Sequence, residues 1–437
     1  VRDIALSLVF LSTLPFAFRH AYGGVLLWTW LSMMNPHKLT YGFARDAPFA
    51  AIAAAVTMVA LFITKDRVKF KLTPQILLLL LFIAWMCVTT VFAVDRAQSW
   101  LQLNKVLKIQ LMVMVAIAVI QTRKQIELFI WVNALSIAFF GFKGGLYTIA
   151  TGGGGRVWGP PGGFIEGNNE LGLALIIVIP LLVFLRTTVD QRWLRNLVTL
   201  TILLSAISAL GTQSRGAMLA IVAMGFVLWL RSNQKFLSFI VILLVAVALL
   251  AFMPDTWSDR MGTIRTYEED TSAMGRINAW MMTFNLANDR FMGAGFAAYS
   301  KQLFAMYAPD PSVVFVAHSI YFSVLGEHGW FGLFLFLVVW LASFMMASNL
   351  RKRSRHRPDL QWVHYLAGMC QVSLVGYAVG GAFLSLAYFD LPYNVFVILV
   401  VVKRWMDEKR FETDNVGVFP LQWTFGRKRP QTPTGRT

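Results

Sequence analysis

Residues 317–332, AHSIYFSVLGEHGWFG, carry His318, Glu327 and His328 in a stretch that otherwise reads as the mouth of a membrane helix. Around it in sequence stand four arginines: Arg156 in GGGGRVWGPPGG, Arg215 in TQSRGAML, Arg265 in TIRTYEED and Arg276 in MGRINAW. Glu166 precedes GNNELG and Glu170 lies within it. Charges at the edge of a bilayer are costly and are usually kept for function. A guanidinium is a planar fork that stays charged, so it suits a diphosphate. An imidazole near neutral pH suits proton transfer from a hydroxyl. No Asp-x-Asp, paired histidines or carboxylate cluster provides the oxygen-rich set that Mg²⁺ or Mn²⁺ needs, so no cofactor is expected and any phosphate charge falls to the arginines.

Each residue also has a plainer reading. Arg215 could be an interfacial arginine snorkelling to water, but its turn is too short to need a solubilising charge, which favours ligand binding. Arg276 opens an amphipathic stretch and could equally be a solvated face. Arg265 precedes Glu268, Glu269 and Asp270, and a local ion pair accounts for it. His318 could be a capping histidine or a general base, and both readings stand. On a continuous helix Tyr321 shares the face of His318, whereas Glu327 falls about half a turn round and roughly 13 Å deeper. Glu327 and His328, between Gly326 and Gly329, read as a polar break that hydrogen-bonds neighbouring helices. The glycines 152–155 lack the Gly-Lys-Ser/Thr of a phosphate loop, and Gly-Ala-Gly at 293–295 lacks a third glycine, so neither is read as a nucleotide site.

These residues must be held by membrane helices. Of 437 residues 57% are hydrophobic and only 14% charged, whereas a soluble domain is about a quarter charged. Apolar runs of 15–25 residues without alternation call for helices, since the backbone must satisfy itself in lipid. The expectation is an all-α polytopic membrane protein of about 12 transmembrane helices, with residues 1–34 forming either two thin crossings or one interrupted one. No small-x-small cleavage site follows residues 4–18, so no cleavable signal is expected. Cys87 and Cys370 fall mid-span and predict no disulfide. The net charge of +17 is a matter of topology, not of nucleic acid. One alternating set of connections carries 24 Lys and Arg, the other 11, and the richer set is expected in the cytoplasm. The chain divides into membrane helices at 1–252, a long outer loop at 253–316, membrane helices at 317–405 and a basic tail at 406–437 expected to be disordered. Within the loop, Ile277, Trp280, Met281 and Phe284, then Phe296, Tyr299, Leu303 and Tyr307, recur at helical spacing and predict amphipathic helices on the membrane surface.

Four stretches in order, QSRGAML (213–219), GRINAW (275–280), FMGAGFAAY (291–299) and HSIYFSVLGEHGWFG (318–332), resemble the O-antigen ligase family of bacterial inner membranes. The opening RDIALSLVFLSTLPFAF and WTWLSMMNPHKLTYGFARDAPFA are also similar to the exosortase-associated O-glycosylation ligase subgroup. The resemblance implies a GT-C-like, metal-independent, inverting glycosyltransferase of the inner membrane, working at its periplasmic face. It would move a glycan from undecaprenyl pyrophosphate to a sugar hydroxyl of lipid A–core, in lipopolysaccharide biosynthesis. By position, Arg215 and Arg276 would hold the diphosphate, with Arg265 and Arg156 as further candidates. His318 would deprotonate or orient the acceptor hydroxyl, with Tyr321 and Glu327 as possible supports. An O-antigen polymerase or a protein O-oligosaccharyltransferase would use the same donor. A transporter of anionic lipid is the non-enzyme alternative, but no internal repeat of the kind transporters show is visible.

Overall fold

The computed structural model describes residues 1–64, 71–231, 234–237, 239–240, 243, 247, 271–414 and 416–418. Arg265, the charged run at 65–70, most of the expected span at 235–252 and residues 419–437 of the tail lie outside the described residues.

Fourteen α-helices are described: α1 (Arg2–Arg19), α2 (Ala21–Met34), α3 (Phe49–Ile63), α4 (Pro74–Val91), α5 (Arg96–Val119), α6 (Arg123–Ala150), α7 (Asn168–Thr188), α8 (Arg192–Gly211), α9 (Arg215–Arg231), α10 (Thr271–Asp289), α11 (Lys301–Tyr307), α12 (Ile320–Ser354), α13 (Gln361–Gly381) and α14 (Asp390–Asp407). Their starts are written locally. Thr73 caps α4 by accepting from Ile76 N, with Pro74 in the first turn. Asp95 caps α5 by accepting from Gln98 N. Thr122 and Gln125 form a reciprocal capping box at α6.

Among the described residues six helices, α4, α5, α6, α7, α8 and α12, are long and apolar enough to cross a membrane. α3 and α9 are apolar but shorter. The expected dozen spans is therefore matched in part. Residues 1–34 are two helices joined at His20, whose extended backbone ends the first. Phe334, Leu337, Leu341 and Met345 of α12 are all exposed, a stripe at helical spacing that water would not tolerate and lipid would.

α7 and α14 are buried almost throughout. α6 lies against α8 at small residues: a methyl group at Gly141 or Gly144 would meet Ser205 or Ser208 Oγ at 2.3 Å. Without water to expel, helices in lipid associate through such close backbone approach.

A smaller second core joins Ala279, Met282 and Leu286 of α10, Leu303 and Phe304 of α11, and Ala294, Ala298 and Ala317. The face of α10 that packs inward thus carries Asn278, Ala279, Met282 and Leu286, while Met281 and Phe284 stay exposed. Of the apolar residues expected on one face, Met281 and Phe284 are exposed, whereas Trp280 packs against the second core. α11 spans only Lys301–Tyr307, shorter than the periodicity from Phe296 predicts. The preceding residues instead pair with α12. There Gly329 (φ 68°, ψ −174°) breaks the helix, and the carbonyls of Gly326 and Glu327 accept from Ala294 N and Gly295 N, both at 2.9 Å. The break frees two carbonyls, and the Gly-Ala-Gly turn satisfies them. Two segments that carry no nucleotide signature are here one structural joint.

Candidate active site

His318 sits just before α12, in a left-handed backbone (φ 44°) that non-glycine residues seldom adopt. Its neighbours fix that conformation. Ala317 is fully buried in the second core, and its carbonyl accepts from Trp280 Nε1 at 2.7 Å. Trp280 stacks on Phe322 at 5.0 Å with the rings 6° apart. The ring of Phe315 meets the imidazole edge to face at 5.7 Å. Asn278 Nδ2 donates to Asp310 O and Val313 O, and Asn278 Oδ1 accepts from Asp310 N. α10 thereby folds the 310–317 connection back on itself and delivers the histidine to the mouth of α12.

The half-buried imidazole has its Nδ1 hidden and without a hydrogen-bond partner among the described residues. Burial, and then the positive field of Arg276, push its pKa down from 6.5 to about 4. At neutral pH His318 is therefore uncharged and able to accept a proton.

Arg276, half-buried in the first turns of α10, acts on two ionisable neighbours at once, His318 and Glu170. Glu170 lies in the first turn of α7, folded back so that a methyl group on Gly167 would meet its Oε2 at 2.0 Å. A carboxylate, a guanidinium and a neutral imidazole from three separate elements so share one electrostatic neighbourhood. Gly275 makes this fit possible: a Cβ there would stand 3.0 Å from the Phe315 ring.

Arg215 opens α9, half-buried, directly after Ser214, whose Oγ accepts from Ala217 N. Arg156 reaches the same turn, its Nε donating to Gln213 Oε1 at 3.2 Å, while Gln213 Nε2 donates to Gly153 O. Gln213 is itself left-handed (φ 54°), and Asn168 Nδ2 holds Thr212 O at 2.8 Å. This turn connects with the histidine through aromatic packing. A Cβ on Gly216 would stand 3.1 Å from Phe383, Phe383 lies 6.5 Å from Trp280, and Trp280 holds Ala317. Arg276 thus lies within electrostatic reach of His318, and Arg156 and Arg215 share a turn joined to the histidine through two rings.

The remaining candidates fall elsewhere. Because α12 begins at Ile320, the helical-face relation between His318 and Tyr321 does not hold, and Tyr321 OH donates to Ala378 O of α13 at 2.8 Å. Glu327 is buried and accepts from Tyr388 OH at 2.5 Å. His328 Nδ1 lies 2.7 Å from Thr89 Oγ1, and its carbonyl accepts from Trp85 Nε1. His328 thus joins α12 to α4, as a polar break between helices does, whereas Glu327 holds the turn between α13 and α14. Arg265 lies outside the described residues. Glu170, Trp280 and Asn278 emerge as part of the site. Glu170 carried a signal in sequence as an acid beside a helix mouth, and Asn278 and Trp280 lie in the GRINAW stretch, though nothing there gave their contacts. Among the described residues, no group of three or more His, Cys, Asp or Glu side chains is placed to hold a metal ion.

A family of unknown function matches residues 1–190. No curated protein matches the chain. The O-antigen ligase family model matches residues 200–337, a span that holds the Arg215 turn, Arg276, His318 and the break at Gly329. Over residues 200–337, therefore, this multi-pass membrane protein is similar to the O-antigen ligase family.

Proposed function

We propose that the protein is an O-antigen ligase that transfers a glycan from undecaprenyl pyrophosphate to a sugar hydroxyl of lipid A–core at the periplasmic face. The observation that carries the proposal is the pairing of a neutral, half-buried His318 with the Arg276 guanidinium at one helix mouth. A proton acceptor beside a fixed cation is what a hydroxyl attacking a sugar–diphosphate requires.

In the proposed step the acceptor hydroxyl oxygen attacks the anomeric carbon and forms the new glycosidic bond. The bond from that carbon to the diphosphate oxygen breaks, and the diphosphate leaves with its electron pair. The hydroxyl proton passes to His318. One displacement inverts the anomeric centre and needs no protein nucleophile. Arg276, with Arg215 and Arg156 from the neighbouring turn, neutralises the departing charge, and preorganised donors of this kind typically contribute most of the rate. A positioned base adds about 10²–10⁴-fold. Glu170 orients Arg276. The reaction proceeds without a metal, and chelator leaves the rate unchanged.

The test is transfer by the purified full chain from an undecaprenyl-pyrophosphate-linked glycan offered to lipid A–core, to a second lipid-linked glycan and to a serine- and threonine-rich protein. Labelled lipid A–core is the expected product. Label appearing only in the lengthened glycan would make the protein a polymerase, and label only in protein a protein glycosyltransferase. Label in none of the three, with a folded chain, would overturn glycosyl transfer.

A further inference from the structure

At the far end of α12 from His318 lies a cavity of about 880 Å³ between α9, α12 and α13. Its walls carry Arg351, Lys352 and Arg355 from the last turns of α12, with His364 and Tyr365 from the start of α13. Leu228 of α9 supplies an apolar wall. No carboxylate is among its lining residues. The neighbouring arginines of the same run are neutralised: Arg353 pairs with Asp407 at 2.6 Å and Arg357 with Asp359 at 2.5 Å. The run RKRSRHR is thus sorted, with two of its cations paired to acids and three turned on the hollow.

Arg351 is built into the wall. His364 Nδ1 meets its carbonyl at 3.0 Å, and its Nη1 reaches Gln371 Oε1 at 3.4 Å. Its Nε is hidden from solvent and has no hydrogen-bond partner among the described residues. A buried guanidinium N–H without an acceptor is costly, and a bound phosphate oxygen would supply one. From the break at Gly329 to Arg351 the helix alone runs roughly 33 Å, so the cavity lies too far from the helix mouth to belong to the His318 site. Basic pockets between helices at a bilayer surface suit lipid headgroups, and the apolar wall at Leu228 gives acyl chains a path along the protein.

We propose that this cavity binds the phosphate-bearing headgroup of an anionic phospholipid in the leaflet opposite the His318 site. The assignment does not depend on which glycan or acceptor the protein uses.

Phosphatidylglycerol is titrated into the purified full chain in zwitterionic detergent, and bound lipid is counted by native mass spectrometry, with phosphatidylcholine, inorganic phosphate and pyrophosphate as separate arms. Phosphatidylglycerol should be retained and phosphatidylcholine not. Arg351→Gln with Arg355→Gln should weaken retention about 25-fold, at roughly fivefold per interfacial cation. Arg353→Gln with Arg357→Gln removes the same charge from paired positions and should leave retention unchanged. Arg351→Lys with Arg355→Lys keeps the charge and should retain the lipid, which guards against a folding defect in the glutamine variant. Equal loss in both glutamine pairs would mean diffuse attraction to a basic surface and overturn the site. Phosphate or pyrophosphate displacing the lipid fully at micromolar concentration would make it a site for a soluble anion and overturn the lipid.

Discussion

His318 is held in a conformation that asparagine also tolerates, whereas β-branched residues do not. His318→Asn therefore removes the imidazole without adding strain at φ 44°. It should lower transfer at least 100-fold, the smaller end of what a positioned base contributes, with thermal unfolding in detergent unchanged. Transfer near the wild-type rate would leave the histidine a structural role alone. The pH dependence adds a sharper test. The pKa of His318 falls from 6.5 to about 4, first through burial and then through Arg276. Between those values the unfolded chain binds a proton that the folded chain does not, so this group makes stability fall as pH drops through that window. Catalysis should persist to the lower limit, near 4, where the base becomes protonated. Arg276→Gln removes the second cause and keeps the first. The acid limb of the rate profile should move to higher pH without reaching 6.5, alongside a loss of rate. A limb that stays in place would separate Arg276 from the base. The histidine and arginines were visible in sequence because charge is rare in apolar surroundings. Their partners were less so: Glu170 is about a hundred residues from Arg276, and only the fold brings them into one field.

At the scale of elements, the joint between residues 293–295 and the break in α12 holds the outer helices to the bundle. Gly329 occupies a backbone region open almost only to glycine, and a Cβ there would stand 2.0 Å from Phe291 O. Gly329→Ala should destabilise the protein by about 3 kcal/mol or more, the range of combined steric and backbone strain, seen as a lower unfolding temperature and poor yield. Gly154→Ala, where the nearest atom is Thr151 O at 3.4 Å, should change neither. An equal effect at both glycines would remove the special role of the joint. Sequence reading marked Gly326–Gly329 as a polar break because glycines bracket two ionisable residues. It could not pair that break with Gly-Ala-Gly, because backbone hydrogen bonds between distant segments leave no periodicity. The same limit explains α10. Hydrophobic spacing identifies apolar positions but not which way each turns: Trp280 packs on the second core with Ala279 and Met282, while Met281 and Phe284 stay exposed. The helices themselves were legible because apolar runs of this length in lipid leave the backbone no partner but itself, while their caps, Thr73, Asp95 and the Thr122–Gln125 pair, show only in the structure.

For the molecule as a whole, α12 sets the scale. From the break at Gly329 to Ser354 it extends roughly 37 Å, beyond the ~30 Å hydrocarbon layer. The excess is placed at both ends: the nine residues before the break at Gly329 lie beside α10 and the second core, and Arg351–Arg353 stand in the last turn. On the proposed function we expect the site at His318 and the basic cavity at Arg351 to face opposite sides of the membrane, with the arginine-rich end inward by the positive-inside bias. Ser312 and His356 are exposed near these two ends and can be replaced by cysteine in a chain whose Cys87 and Cys370 are changed to serine and alanine. In sealed right-side-out vesicles an impermeant thiol reagent should label Ser312→Cys directly and His356→Cys only after permeabilisation. Labelling of both from outside would place the two ends in one compartment, and a helix of this length and apolarity would then have to lie along the membrane, leaving the donor's diphosphate and the proposed headgroup to compete at one surface.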